Sequence, residues 1–162
     1  MRKVSSLKAI RFPLFVTLAT LLSGCTPDAQ PFVEVADVKQ LMISVVEPAA
    51  EVYWDAVGTI IDKNGIEEFA PSTTEEWQEV RNAAMVIAES GNLLMMESRI
   101  QGGVEWIAAS RALIEVGRQA LEAAEAEDAA AVFDAGAEVY YACSNCHVTY
   151  APDTIRPGDN RK

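Results

Sequence analysis

The sequence predicts an all-α fold, and we expect an antiparallel four-helix bundle over residues 34–151. Apolar residues recur at intervals of three and four in four long segments, which is the spacing of one buried helix face. Most connections between these segments are short, as they are between helices that lie antiparallel to their neighbours. No segment shows sustained alternation of apolar and polar residues, so no strand is expected.

The first predicted helix begins near Glu34 and ends at residues 62–65 (DKNG), where Gly65 suits a left-handed helix cap. We expect Pro48 to kink this helix or to start a second segment, because proline lacks an N–H and crowds the preceding turn. The apolar face of the helix comprises Val38, Leu41, Met42, Val45, Val46, Ala49, Val52, Tyr53, Ala56, Val57 and Ile60.

The second predicted helix has the clearest start in the chain. Ser72 and Glu75 have the spacing of a capping box, in which each side chain accepts from a free backbone N–H of the first turn. An apolar stripe then runs from Trp77 to Leu94. We expect the helix to end near Ser98, because the glycine pair at 102–103 interrupts the pattern.

The third predicted helix runs from about Val104 to Glu127, and a tight turn separates it from the fourth, for which Asp128 is the expected N-cap. Glycine is costly inside a helix, so Gly136 indicates that another helix or a bound group approaches closely. We expect residues 152–162 to form a disordered tail. One face of the fourth helix carries Val132, Phe133, Gly136, Tyr140, Cys143 and His147.

The run Cys143-Ser144-Asn145-Cys146-His147 is the attachment signature of a c-type haem. On a helix the two thiols and the imidazole project from one face, because they occupy positions i, i+3 and i+4. The thiols would bind the vinyl groups of one covalent haem c, and His147, the only histidine of the chain, would bind the iron. A zinc site would need further Cys or His ligands, and a thioredoxin-like pair would need a βαβ context.

Residues 1–24 have the pattern of an export signal. A basic start precedes a short apolar stretch at 12–22, and the run 22–25 (LSGC) resembles the bacterial lipobox. We therefore expect Cys25 to carry a lipid anchor, residues 25–33 to include a tether, and the protein to lie on the periplasmic side. Thr26, rather than Asp, follows the cysteine, and by resemblance to Gram-negative sorting rules this implies an outer-membrane destination. The alternative is an ordinary secretory signal, with Cys25 a free thiol.

The chain is strongly acidic. Its formal net charge is −11, and because four of the 13 basic and none of the 24 acidic residues lie in the leader, the remainder carries −15. This charge disfavours nucleic acid as a partner. It favours partners with a basic docking face, or it serves only to keep the protein soluble. The three cysteines divide into one for lipid and two for haem, which leaves no structural disulfide.

A four-helix pattern with the haem motif on its last helix resembles the cytochrome c′ and cytochrome c-556 family. The resemblance covers roughly residues 34–151. It implies Cys143 and Cys146 as the covalent haem attachment and His147 as the axial ligand. In c-556-like members a methionine of the first helix is the sixth ligand, and the segment 38–42 (VKQLM) resembles its surroundings. Met42 is therefore the candidate, unless it is only a flexible core residue or the register shifts to Leu41.

The resemblance implies an electron carrier rather than an enzyme, with redox proteins as partners. Many relatives form a homodimer through the first two helices, but no apolar stripe of this chain clearly exceeds what one bundle core needs, so the sequence does not decide between a monomer and a homodimer. The alternative within the family is a five-coordinate protein that binds NO or CO. A haemless helical lipoprotein is the third possibility. Two departures affect the resemblance: Ala151 stands where members carry a basic residue, and Pro48 follows Met42 closely. Tyr53, Trp54 and Tyr140 would line either a haem or the core.

Overall fold

The structure is a computed structural model that describes residues 32–154. The export signal, Cys25 and most of the tether lie outside the described residues, as do residues 155–162. The described chain is mostly helical, with one small two-stranded sheet. Within it, no helix is long and apolar enough to cross a membrane.

The first helical segment consists of α1 (Val38–Leu41), a π-helical turn (Met42–Val46) and α2 (Glu47–Trp54). The backbone N–H of Glu47 donates to the carbonyl of Met42, five residues earlier. Pro48 lies in the first turn of α2, where a proline is tolerated. A second α-helical segment therefore begins at the residue before Pro48, which is one of the two expectations for this proline, and the π turn joins it to α1. A widened turn precedes the proline, which is one way to fit its ring and its missing N–H.

The segment after Trp54 is a β-hairpin, and the prediction that the helix continues to residue 62 was wrong. Strand β1 (Gly58–Asp62) pairs antiparallel with β2 (Gly65–Phe69), and Asp62 Oδ1 accepts from the Asn64 N–H at 2.7 Å in the turn. Gly65 has φ 139°, which suits the turn rather than a helix end. The run of β-branched residues at 59–61 favours strand. Ile60 is consequently exposed instead of belonging to a core stripe.

Helix α3 (Thr74–Leu94) begins one residue later than predicted. Thr73, not Ser72, is the N-cap, and its hydroxyl accepts from the Glu76 N–H at 3.1 Å. The Glu76 carboxylate accepts in return from the Thr73 N–H, so the capping box is shifted by one position. The helix also ends four residues before Ser98, and a 3₁₀ turn (Glu97–Arg99) follows.

Helices α4 (Val104–Glu125) and α5 (Ala129–Tyr150) agree closely with the sequence prediction. Asp128 is the N-cap of α5, as expected, since its carboxylate accepts from the N–H groups of Ala130 and Ala131. A 3₁₀ turn (Pro152–Thr154) follows α5, where the sequence predicted the start of a disordered tail.

Helices α3 and α4 pack against each other in antiparallel directions. Near their middles, Gly117 of α4 faces Ala88 of α3, and a Cβ added to the glycine would lie 2.6 Å from the Ala88 backbone nitrogen. At one end, Arg81 near the start of α3 forms an ion pair of 3.4 Å with Glu127, which follows the end of α4. At the opposite end, the Trp106 indole donates to the Leu94 carbonyl at 2.8 Å. The largest core side chains include Leu41, Tyr53, Trp77, Ile87, Leu94, Trp106, Leu113, Val132 and Val139.

Candidate functional site

The predicted attachment residues lie together in the last two turns of α5. Cys143, Cys146 and His147 are each partly buried, and both cysteines are free thiols. Cys143 packs against the hydrophobic core. Because α5 is continuous through Tyr150, the three side chains share one helix face, as the spacing predicts.

Burial controls the protonation of the two thiols. It raises the pKa of Cys143 to about 11, with a further contribution from Cys146, and it also raises the pKa of Cys146. Both side chains are therefore neutral thiols at pH 7. A reactive Cys-x-x-Cys redox pair needs the opposite environment, such as a helix N-terminus that lowers the thiol pKa. Here the pair lies near a helix C-terminus, so the surroundings do not favour thiol–disulfide exchange.

His147 is a neutral imidazole with one nitrogen engaged. Burial lowers its pKa, and Glu47 opposes this effect. Its Nδ1 lies 3.2 Å from Oγ1 of Thr154, and the Thr154 hydroxyl donates to the Ala151 carbonyl at 2.7 Å. Among residues 32–154, no hydrogen bond involves Nε2 of His147. A neutral imidazole with a free ring nitrogen is the form in which histidine binds metals.

Thr154 was missed by the sequence analysis. The 3₁₀ turn that carries it follows directly from Pro152, which cannot continue α5. The Ala151 N–H, just before this turn, donates to the His147 carbonyl at 2.9 Å. Both the residue before the turn and Thr154 at its end therefore contact His147. The signal in the sequence is a proline just beyond a helix end, followed by a threonine that can hydrogen-bond back to the chain.

Of the two ends of the first helical segment, the one that carries Met42 is nearer to His147. The Trp54 indole donates to the Gly136 carbonyl at 2.9 Å, whereas Glu47 is close enough to His147 to affect its pKa. The segment therefore runs antiparallel to α5, and Met42 is one π turn before Glu47. Met42 is partly buried against the core, and no hydrogen bond joins it to His147 in the described chain.

A groove of about 330 Å³ lies between α2 and the first half of α5. It ends at Tyr140 and Tyr141, one turn before Cys143 on the same helix. Gly136 lies in its floor, and a Cβ there would be 3.3 Å from Cδ1 of Trp54. The absence of a side chain at Gly136 therefore allows α2 to approach α5 closely, which was one of the two expectations for this glycine. The other lining residues are Tyr53, Val57, Val132, Phe133 and Ala137.

The cysteine pair and His147 do not form a metal cage in the described chain. Within residues 32–154, no three Cys, His, Asp or Glu side chains gather in a way that could hold a metal ion. A structural zinc ion needs about four such ligands.

Comparison with known proteins provides no relative from which a function carries over. No family model matches the chain, and neither a curated protein nor a solved structure is significantly similar to it. The features of the chain that bear most directly on its function are the cysteine pair and the histidine at the end of α5.

Proposed function

We propose that the protein is an exported, lipid-anchored monohaem c-type cytochrome that carries single electrons. The observation that carries this proposal is the donor set at the end of α5. Two neutral thiols and an imidazole with a free Nε2 lie on one helix face, beside the hydrophobic core. These residues fit a covalently attached haem. When bound, the haem would supply an iron that alternates between the ferric and ferrous states.

Each side chain has a distinct role in holding the haem. Cys143 and Cys146 would hold the haem through two thioether bonds, each made by adding the S–H of one thiol across one vinyl group. Such an addition would need no oxidant, because the sulfur and the hydrogen of the thiol would both be retained in the product. The raised thiol pKa values keep that proton in place at neutral pH. His147 would bind the iron through its free Nε2.

We also propose that the helices form the antiparallel four-helix bundle of the cytochrome c′ and c-556 family. Short connections join α3 to α4 and α4 to α5, which favours antiparallel neighbours. The hydrogen bond from Trp54 to Gly136 and the electrostatic effect of Glu47 on His147 support a first segment that runs in the opposite direction to α5. That arrangement brings the start of the first helix and the end of the last helix to the same end of the protein.

Met42 is the sixth iron ligand in this proposal. It is one turn from Glu47, and π-helical turns such as the one it begins are frequent at functional sites. The alternative is a five-coordinate, gas-binding cytochrome. One observation favours it: Leu41 is only 3 % exposed and is more deeply buried than Met42, so an apolar residue of the same helix is already turned inward.

Absorption spectra decide between these functions. The protein is expressed with haem-attachment machinery, and the ferric and ferrous spectra are recorded with and without CO. We expect covalent haem on a denaturing gel, a low-spin spectrum and slow or absent CO binding. Met42→Leu should give a high-spin ferrous protein that binds CO readily. Met85→Leu is the matched control, because Met85 is an exposed methionine of α3.

The outcomes separate the three possibilities. A wild-type ferrous protein that is high-spin and binds CO at once supports the gas-binding alternative and removes Met42 as a ligand. Absence of covalent haem removes the cytochrome proposal altogether and favours a haemless lipoprotein. The lipid on Cys25, the outer-membrane location, basic redox partners and a homodimer are further parts of the proposal that rest on the sequence and its charge.

A further inference from the structure

We propose that Thr154 is a positioning residue for the axial histidine: its hydroxyl oxygen accepts the Nδ1–H of His147 and so keeps Nε2 free for the iron. This inference deepens the proposed function and rests on it where the iron is concerned. The hydrogen bond itself belongs to the chain without haem. It joins the end of α5 to the 3₁₀ turn that follows it.

The direction of this hydrogen bond follows from the position of a single proton. The Thr154 hydroxyl oxygen lies 2.7 Å from the Ala151 carbonyl oxygen. Two oxygens at that separation need a proton between them, and a carbonyl has none, so the hydroxyl proton points to Ala151. The same hydroxyl is 3.2 Å from Nδ1 of His147 and has only a lone pair left for it. Nδ1 must therefore carry the proton.

Three residues close a ring of hydrogen bonds around this end of the helix. The Ala151 N–H donates to the His147 carbonyl at 2.9 Å, and the Ala151 carbonyl accepts from both the N–H and the hydroxyl of Thr154. The Thr154 hydroxyl then accepts from the His147 ring. Each bond supports the next, so the position of Thr154 is set by backbone groups and not by the imidazole alone.

The consequence is a histidine whose tautomer and ring orientation are set before any ligand binds. Metal-binding histidines generally donate their second ring N–H to an oxygen, which raises the basicity of the nitrogen that binds the metal. A more basic axial nitrogen stabilises the ferric state relative to the ferrous state. Loss of the Thr154 hydroxyl should therefore raise the reduction potential of the holoprotein.

The test uses three variants of the full chain. Thr154→Val removes the hydroxyl at nearly constant volume, and Thr154→Ser restores it. Thr149→Val is the matched control, because Thr149 is an exposed threonine two residues from His147 that makes no side-chain hydrogen bond in the described chain. In the holoprotein we expect Thr154→Val to raise the reduction potential, and we expect the other two variants to keep the wild-type value.

A second measurement needs no haem. His147 is the only histidine, so nitrogen NMR of the ¹⁵N-histidine-labelled chain reports one imidazole. We expect Nδ1 to carry the proton in the wild type, and Thr154→Val to shift the tautomer ratio towards Nε2–H by about fivefold, the effect of losing one ordinary hydrogen bond.

The two measurements distinguish the inference from the proposed function. A haemless protein with the expected tautomer shift overturns the cytochrome and supports the role of Thr154 in orienting the ring. A holoprotein whose potential is the same in Thr154→Val and wild type overturns the inference and keeps the cytochrome. An Nε2–H tautomer in the folded wild-type chain also overturns it. If the haem-free chain does not fold, the potential alone decides.

Discussion

At the scale of single residues, burial sets the chemistry of Cys143 and His147 more than nearby charge does. Burial is the larger cause of the pKa shift at both residues, and it favours the neutral form of each. The neighbouring charges, from Cys146 and Glu47, act second. A neutral thiol and a neutral imidazole are the forms from which a thioether and an iron–nitrogen bond are made.

This burial predicts a loss of stability at high pH in the haem-free chain. The folded-state pKa of Cys143 is about 11 and its ordinary value is 9.0, so the unfolded chain releases the proton first. The free energy of unfolding is therefore fully retained below pH 9 and falls as the pH rises towards 11, by about 2 kcal/mol from this group. Urea denaturation at pH 8 and pH 10.5 measures it.

Cys143→Ala is the comparison for that measurement. Other groups, including tyrosines, also ionise in this range, so only the difference between the two proteins reports on Cys143. We expect the wild type to lose more stability than Cys143→Ala over the same interval. Equal losses in the two proteins would mean that Cys143 is solvated in the folded chain, contrary to its packing against the core.

At the scale of elements, the glycines decide how closely the helices approach. Gly117 of α4 faces the backbone of α3, and an added Cβ would lie 2.6 Å from the Ala88 nitrogen and 2.7 Å from its Cα. A backbone atom cannot rotate away as the end of a side chain can. Alanine at 117 would therefore force the two helices apart along their whole contact.

Gly117→Ala should destabilise the protein although alanine is the better helix former. Helix propensity favours alanine by about 1 kcal/mol, but overpacking of a tight contact costs roughly 1–3 kcal/mol and the backbone position puts this site at the upper end. We expect a net loss of about 1–2 kcal/mol in thermal or urea unfolding. Gly136→Ala is the comparison, because this glycine is also inside a helix but the atom nearest to an added Cβ is in a side chain, Cδ1 of Trp54 at 3.3 Å, so we expect a smaller loss there. Stability unchanged by Gly117→Ala would contradict the close approach of α3 and α4.

The elements also show where sequence reasoning succeeds and where it fails. Helices α4 and α5 were predicted closely because their apolar stripes are long and Asp128 is a strong N-cap. The hairpin was missed because its strands are exposed on both faces, so they carry no alternating pattern of burial. The π turn was missed because one extra residue in a turn leaves the spacing of apolar residues almost unchanged.

In the candidate site, too, the placement of some residues follows from the sequence and that of others does not. The positions of Cys143, Cys146 and His147 on one helix face follow from spacing alone, since a helix fixes where i, i+3 and i+4 point. The contact of Thr154 with His147 depends on a three-residue turn after the helix, and no periodicity describes such a turn. The partial burial of Met42 depends on how the first segment packs, which a local pattern does not determine.

At the scale of the whole molecule, the acidic charge is distributed over both ends. Glu47 lowers the effect of burial on the His147 pKa, and Asp153 lies in the turn after α5. Glu105 is in the first turn of α4 next to Trp106, whose ring meets that of Tyr150 of α5 edge to face. These three exposed acids surround the end that carries the cysteine pair. Glu67, Glu68 and Glu125 are exposed at the opposite end, on the hairpin and at the end of α4.

This distribution allows electron exchange to test whether the charge guides docking. The holoprotein is studied by voltammetry on amine-terminated and carboxylate-terminated electrodes. If a basic partner docks at the end with the cysteine pair, exchange is faster on the amine surface at low salt. The advantage should disappear between 10 mM and 1 M salt, since the screening length falls from about 30 Å to about 3 Å.

Charge-neutralised variants locate the docking end. A triple variant with Glu47→Gln, Glu105→Gln and Asp153→Asn should lose most of the advantage on the amine surface, because it removes three negative charges from the end that carries the cysteine pair. The matched variant with Glu67→Gln, Glu68→Gln and Glu125→Gln changes the net charge equally and should retain it, since those residues lie at the far end. Equal losses in the two variants would mean that only net charge matters. Equal rates of the wild type on both electrodes would make the acidic surface a means of solubility and not of recognition.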